Sequence, residues 1–189
     1  MIIAGDLRRG SKLLFNNEPY VVVDFQLVKP GKGGTYLRTK MRNLITGLVR
    51  EETFRSAEKL ESPDLESRPM QFLYADDGAY NFMDQQSYEQ ITLDHEHVED
   101  VVGFLKEQET YDILYFGDRP IAITPPMHMN LLVTEALPGV KGDTAQGSAS
   151  KPVTLETGMV LNVPLFVEEG DILRIDTRDR SYIERVNKK

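Results

Sequence analysis

Two polar, proline-containing stretches interrupt this chain and limit the size of any single domain. Residues 61–69 include Pro63 and Pro69, and a second interruption is Thr124-Pro125-Pro126. Proline has no backbone N–H to donate within a central sheet ladder, so strands are expected to end at both places. The sequence therefore predicts three small domains of similar length, at residues 1–64, 65–127 and 128–189.

Short strand signals separated by turn residues fill all three segments, which predicts an all-β protein made of small barrels. The clearest hairpin signal is Asp76-Asp77-Gly78, between apolar runs at 72–74 and 79–83. Other predicted strands are 20–25, 36–42, 111–116, 119–124, 129–136, 159–163, 171–176 and 181–186. One helix is predicted from an N-cap at Asp94, with Val98, Val101, Val102 and Leu105 on one face. Residues 137–152 form a long predicted loop, typical of a functional segment.

The net charge of −8 is distributed very unevenly. Residues 1–62 carry 11 Lys/Arg against 7 Asp/Glu, residues 63–127 carry 3 against 14, and residues 128–189 carry 8 against 9. Because local rather than total charge decides which surface meets a phosphate backbone, the first third is the candidate RNA-contacting part. The middle third is expected to avoid RNA.

A glycine-rich turn joins the first two strong strand signals and presents Lys32 at its tip. Lys29, Pro30, Gly31, Gly33 and Gly34 are the residues expected to shape it. Pro30 and Gly31 suit the two central positions of a type II turn, with Gly31 at positive φ. The turn therefore predicts a lysine held away from the core and able to contact another molecule, although exposed hairpin lysines are also common on ordinary surfaces.

The strand after this turn alternates between apolar and basic side chains. Leu37, Thr39 and Met41 are expected to face the core, which leaves a basic and aromatic outer row of Tyr36, Arg38, Lys40 and Arg42. Such a row can track a nucleic-acid backbone. A charged row can equally protect an exposed edge strand against aggregation, and the pattern alone supports both interpretations.

Other chemistry has weaker support in the sequence. The chain has no cysteine, which excludes disulfides, thiolate zinc sites and a cysteine nucleophile. His95-Glu96-His97 lacks the spacing that places two imidazoles on one helix face, so no metal and no cofactor is expected. No signal peptide or membrane-spanning run is evident. The many carboxylates of the middle third are more typical of a solvated surface than of an acid–base catalyst.

Motifs along nearly the whole chain resemble bacterial elongation factor P. They are Val28-Lys29-Pro30-Gly31-Lys32-Gly33, Leu44-Ile45-Thr46-Gly47, Thr53-Phe54-Arg55-Ser56, Asp77-Gly78, Phe82-Met83, Ile123-Thr124-Pro125-Pro126, residues 138–145, Val163-Pro164-Leu165-Phe166-Val167 and Asp176-Thr177-Arg178. Their order and separations make the resemblance specific.

The resemblance implies an SH3-like barrel followed by two OB-folds, arranged in an L that is similar in shape to tRNA. It implies a non-enzymatic, cytoplasmic and monomeric translation factor that binds the ribosome, with rRNA and peptidyl-tRNA as partners, and that relieves stalling at consecutive prolines. Lys32 aligns with the residue that relatives modify, so lysine-modifying enzymes are further partners implied. The loop at Gly142, Asp143 and Thr144 is similar to the family's contact near the mRNA and the small subunit.

Two other functions remain possible from the residues alone. A single-stranded RNA-binding protein built from OB-folds would carry stacking aromatic residues on several barrels. A carboxylate enzyme would need two acids that converge in a concave site. Fold by itself does not separate these alternatives, because OB-folds host many functions.

Overall fold

The protein is almost entirely β, as the sequence predicts. The structure, a computed structural model, describes residues 1–31, 33–137 and 150–186. It divides into two compact units, one formed by residues 1–67 with 114–122 and the other by residues 68–113 with 123–189. The three-domain division of the sequence stays a prediction. In the described residues, no helix is long and apolar enough to span a bilayer.

The N-terminal part is built around a four-stranded antiparallel sheet. This part of the chain contains six strands, which are β1 (Ile2–Ile3), β2 (Lys12–Phe15), β3 (Glu18–Val28), β4 (Tyr36–Asn43), β5 (Val49–Arg55) and β6 (Lys59–Leu60), and a 3₁₀ turn at Ala4–Asp6. The sheet order is β2-β3-β4-β5, and β1 pairs with β6. Alternate side chains of β4 point inward and join a core that includes Leu13, Val22 and Phe54. The sheet therefore has one apolar face and one face open to partners.

The middle sheet has the order β11-β10-β7-β8-β9. Its strands are β7 (Leu65–Asp76), β8 (Ala79–Asp84), β9 (Gln90–Asp94), β10 (Thr110–Phe116) and β11 (Arg119–Thr124). The predicted β7–β8 hairpin is confirmed, with Asp77 and Gly78 both at positive φ, 49° and 81°. Two adjacent residues in this conformation are what a tight hairpin turn requires.

The predicted helix is much shorter than its hydrophobic spacing indicates. Asp94 is the N-cap, since its side chain accepts a hydrogen bond from the His97 N–H at 3.3 Å, but α1 covers only His95–Val98. A 3₁₀ turn at Val102–Phe104 follows. Val101, Val102 and Gly103 are poor helix formers, and Val98, Val101 and Leu105 are buried without a continuous helix. The apolar residues at the predicted spacing are therefore buried, but the backbone that carries them is a short helix followed by a 3₁₀ turn.

The C-terminal sheet contains five strands in the order β14-β13-β12-β15-β16. They are β12 (His128–Ala136), β13 (Ser150–Leu155), β14 (Val160–Pro164), β15 (Ile172–Asp176) and β16 (Ser181–Val186). Strand β13 corrects the predicted loop at 137–152, because residues 150–152 belong to the sheet. Its ladder to β12 begins only at Val153, so Pro152 lies beyond that pairing and removes no hydrogen bond from it.

The middle segment and the C-terminal segment contact each other within the second compact unit, through side chains of both. The Thr157 hydroxyl donates to the Gly103 carbonyl at 2.6 Å. Lys106 Nζ lies 3.0 Å from a Glu156 carboxylate oxygen and 3.1 Å from the Asn130 carbonyl. Arg180 donates to the Asp100 carbonyl at 3.0 Å. The last of these hydrogen bonds attaches the β15–β16 turn, which contains Arg180, to the middle segment.

Candidate nucleic-acid interface

The glycine-rich turn connects β3, which ends at Val28, to β4, which begins at Tyr36. The flanking residues Lys29, Pro30, Gly31, Gly33 and Gly34 are exposed, and Lys32 itself lies outside the described residues. A Cβ added at Gly31 or Gly34 would meet no atom within 4 Å. The turn is thus uncrowded on both sides of position 32.

The predicted turn geometry is wrong in one respect. Gly33, not Gly31, occupies the left-handed region, with φ at 113°. A side chain at Gly33 would lie 3.8 Å from Pro30 Cγ, so the two residues face each other across the turn. The conformational freedom of glycine is therefore needed one residue after Lys32 rather than one residue before it.

Strand β4 has the predicted alternation. Leu37, Thr39 and Met41 are buried, with relative exposures of 1%, 0% and 0%, whereas Arg38, Lys40 and Arg42 are exposed and Tyr36 is half-buried. The strand pairs with β3 on one side and β5 on the other. The charged row is therefore not on an edge strand, and protection of a sheet edge does not explain it.

At the end of β4 nearest the turn, the cross-strand neighbours of the basic row are neutral or basic, and a Glu58 carboxylate oxygen accepts a hydrogen bond from the Arg55 backbone N–H at 3.0 Å. Tyr36 lies opposite Arg55 on β5, and Arg38 lies between Gln26 on β3 and Thr53 on β5. Directly opposite residues have Cβ atoms about 4.5–5.5 Å apart, so Tyr36, Arg38 and Arg55 share one patch. We call these three residues the turn-proximal patch.

Farther along β4, acidic side chains flank the row. Lys40 lies between Asp24 and Glu51. Asp24 also accepts hydrogen bonds from Arg9, at 2.7 Å to Nη2 and 3.1 Å to Nε. These hydrogen bonds are the main reason that the pKa of Asp24 is lowered, with a smaller contribution from the charge of Lys40. Asp24 therefore stays ionised, and its negative charge is shared between Arg9 and Lys40.

Arg42 has a different environment again. It lies opposite Val21 on β3 and Val49 on β5, and Val49 is 51% exposed. Lys40 and Arg42, the turn-distal pair, are consequently bordered by two carboxylates, one of which also binds Arg9, and by apolar groups. The predicted RNA-binding residues therefore lie in one row on β4, but the two halves of that row have different charged neighbours.

The sequence interpretation missed Arg55 as part of the candidate site. It belongs to the Thr53-Phe54-Arg55-Ser56 motif, but only the β4–β5 register brings it beside Tyr36. An alternating pattern on β5, with Phe54 buried and Arg55 exposed, was the available signal. The remaining predicted loop residues Gly142, Asp143 and Thr144 lie outside the described residues.

The groups considered for metal or acid–base chemistry have other surroundings. His97 Nδ1 is 2.5 Å from an Asp94 carboxylate oxygen, and His95 Nδ1 is 3.3 Å from the Tyr80 hydroxyl. Across the described residues, no group of three or more His, Cys, Asp or Glu side chains is arranged to hold a metal ion. The pKa values of Asp24, Asp84, Asp94 and Asp176 are all lowered, mainly by hydrogen bonds, which favours carboxylates over general acids.

Comparison with known proteins identifies relatives along the full chain. Residues 3–60 match the Elongation factor P (EF-P) KOW-like domain, residues 65–123 the EF-P OB domain, and residues 129–185 the Elongation factor P C-terminal domain. These matches confirm the fold class of small β-barrels.

Two curated relatives named Elongation factor P align with this chain over its whole length and over their own whole length. The protein of Bdellovibrio bacteriovorus is 46% identical over 189 residues, and that of Desulfatibacillum aliphaticivorans is 50% identical over 188. The solved structure of eukaryotic translation initiation factor 5A from Methanococcus jannaschii has a TM-score of 0.58. The match covers 66% of this chain and 93% of the chain in that structure, at 22% sequence identity. At this identity, the match shows a similar fold only.

Proposed function

The chain belongs to the elongation factor P family of translation factors, and from this premise we propose that it binds the ribosome beside peptidyl-tRNA and promotes peptide-bond formation between consecutive prolines. The observation that carries the proposal is the family match over the whole chain. A translation factor acts through the ribosome, and a ribosomal site of action puts the protein in the cytoplasm. Peptidyl-tRNA and rRNA are the partners that the proposal adds.

The distribution of charge supports an orientation with the N-terminal sheet towards RNA. Arginine guanidinium groups suit phosphate oxygens because their planar donors can bind two oxygens at once. Arg38 and Arg55 present such groups beside Tyr36, on the side of the sheet where the β3–β4 turn leaves it. Contacts of this kind would fix the register of the factor on tRNA or rRNA without reading sequence.

Lys32 is proposed as the residue that reaches the acceptor end of the tRNA. Proline is a rigid and poorly reactive substrate, so a factor that improves its orientation can accelerate peptide transfer without chemistry of its own. The uncrowded glycines at 31 and 34 support this role, because they leave room for an RNA backbone to approach the turn closely. Lysine-modifying enzymes are further proposed partners, since they would extend the reach of the same side chain.

Replacing Lys32 tests the proposal. We expect Lys32→Ala to lower synthesis from a triple-proline reporter by about tenfold or more, because a misplaced reactant can cost up to about 100-fold in rate. A message with no consecutive prolines should be translated normally. The free energy of unfolding should change by less than about 0.5 kcal/mol, as at other exposed positions. Purified variants in a reconstituted translation system, with parallel thermal melts, provide the measurement.

Lys29→Ala is the matched control, because it removes the same side chain from the same turn. Its effect on the reporter should be clearly smaller. Full triple-proline synthesis with a folded Lys32→Ala variant would refute the proposed mechanism. Loss of activity together with loss of fold would make Lys32 a structural residue instead.

A further inference from the structure

The N-terminal 3₁₀ turn is hydrogen-bonded to the chain just after β5. The Gly5 N–H donates to the Ser56 carbonyl at 2.9 Å, and the Ala4 N–H donates to the Glu58 carbonyl at 2.8 Å. Ala4 and Leu7 are fully buried in the core of the N-terminal part. The 3₁₀ turn is therefore anchored in the core, and its backbone holds Ser56 in place.

Ser56 in turn contacts the return arm of the glycine-rich turn, which is residues 33–35. The Ser56 N–H donates to the Thr35 carbonyl at 2.9 Å, which extends the pairing of β4 with β5 by one residue towards the tip. Gly33 and Gly34 have no side chains that could pack against the sheet. Backbone contacts must therefore position the return arm, and the hydrogen bond from Ser56 is one of them.

Gly5 permits a close approach to Ser56 that a side chain would prevent. A Cβ added at Gly5 would lie 3.0 Å from the Ser56 carbonyl oxygen and 3.5 Å from the Ser56 Cβ. Ordinary van der Waals contacts of such an atom are 3.4–4 Å, so the carbonyl would have to move by a few tenths of an ångström. The φ of Gly5 is outside the left-handed region, so the close approach, not the backbone conformation, requires glycine here.

We propose that Gly5 and Ser56 are positioning residues, which set the return arm of the glycine-rich turn through the Thr35 carbonyl. This role rests on the proposed function, in which the turn approaches peptidyl-tRNA. A step that depends on orientation is sensitive to small displacements, because a misplacement of about 1 Å can cost about 100-fold in rate. Long arginine side chains have enough rotamer freedom to follow a phosphate through such a shift, so ribosome affinity depends less on the same contacts.

Gly5→Ala in the full-length protein tests this role. It should speed hydrogen exchange at the Ser56 amide and shift the amide resonances of residues 33–36. The maximal rate of triple-proline synthesis should fall by about threefold, because the displacement is a few tenths of an ångström. The factor concentration that gives half of the maximal rate should stay the same, which a general loss of folded protein would not allow.

Gly47→Ala is the matched control, because it makes the same substitution in the β4–β5 turn. Gly47 has φ at 71°, and an added Cβ would meet no atom within 4 Å. The substitution therefore strains the backbone without displacing Ser56, and it should lower the melting temperature. Triple-proline synthesis and the amides of residues 33–36 should remain normal. Ser56→Ala keeps both backbone hydrogen bonds and should also behave as the unchanged protein.

A second variant covers the case in which Gly5→Ala does not fold. Replacement of Ser56 by its α-hydroxy acid removes only the N–H that binds Thr35, and it should give a similar loss of rate. Normal rates in both variants, while Lys32→Ala is impaired, would overturn the positioning role and leave the proposed function intact. An equal loss of rate in Gly47→Ala would overturn it as well. Unchanged amides at residues 33–36 in Gly5→Ala would overturn it whatever the result for Lys32→Ala, because that measurement needs no ribosome.

Discussion

The two halves of the outer row on β4 have the same sequence pattern but different electrostatic surroundings. Near the turn, Arg38 has Gln26 and Thr53 as cross-strand neighbours. Two residues farther along, Lys40 has Asp24 and Glu51. The comparison teaches that the charge available to a partner depends on the neighbouring strands as much as on the strand itself. The turn-proximal patch is therefore expected to dominate RNA binding.

Reversing the charges of each half in turn should give the largest difference in ribosome affinity between two variants. We expect Arg38→Glu with Arg55→Glu to raise the Kd for ribosomes by about 100-fold, since a hydrogen bond to a charged group is worth about 1.5–3 kcal/mol and each 1.4 kcal/mol is tenfold. Lys40→Glu with Arg42→Glu should raise it by less than about tenfold. Sedimentation or fluorescence binding assays measure both. Similar losses from the two double variants would remove the distinction between the halves.

Removing a carboxylate beside Lys40 should expose its charge. Glu51→Gln is the cleaner change, because Asp24 also binds Arg9. In the Glu51→Gln background, we expect Lys40→Ala to raise the ribosome Kd by about threefold more than it does in the unchanged protein, as local repulsion of phosphate is relieved. A double-mutant cycle on ribosome binding gives this coupling.

Glu52→Gln is the matched control for that cycle, because Glu52 lies opposite Thr39 rather than Lys40 and pairs with Arg50. Its coupling to Lys40→Ala should be near zero. Additive effects of Glu51→Gln and Lys40→Ala would indicate that Lys40 is not masked by its neighbours.

The smallest effect is expected on the inner face of the same strand. Thr39 is fully buried, and among the described residues its hydroxyl has no hydrogen-bond partner. Thr39→Val should raise the free energy of unfolding by about 1 kcal/mol, because an unpartnered buried hydroxyl is unfavourable. Ribosome affinity should not change. A Thr39→Val protein that melts lower than the unchanged protein would show that the hydroxyl is satisfied.

Local patterns in the sequence predict much of the fold but not the partners of each side chain. The alternation from Leu37 to Met41 and the Asp77-Gly78 turn depend on neighbouring residues, and both are confirmed. The helix after Asp94 was predicted too long because the burial of Val101 and Leu105 does not require a helix. Strand β13 begins inside the predicted loop at 137–152, because the glycines and low apolar content of that stretch indicate a loop up to Pro152.

The candidate site was predictable to a similar degree. Periodicity alone identified the exposed row, and composition identified the turn that precedes it. Arg55 and the carboxylates beside Lys40 depend on the pairing of three strands, which one strand's pattern does not contain. Sequence reasoning thus identified the exposed row but not the carboxylates beside Lys40, and the RNA-binding role of the row stays a prediction.

The salt dependence of ribosome binding tests the central claim that the turn-proximal patch makes the phosphate contacts. Arg38→Gln with Arg55→Gln and Lys40→Gln with Arg42→Gln each remove two positive charges without adding negative ones. Each lost phosphate contact lowers the slope of log affinity against log salt concentration by about one. The slope should therefore fall by about two in Arg38→Gln with Arg55→Gln, and it should be almost unchanged in Lys40→Gln with Arg42→Gln. Equal slopes for the two variants, or a larger loss in the second, would contradict the account.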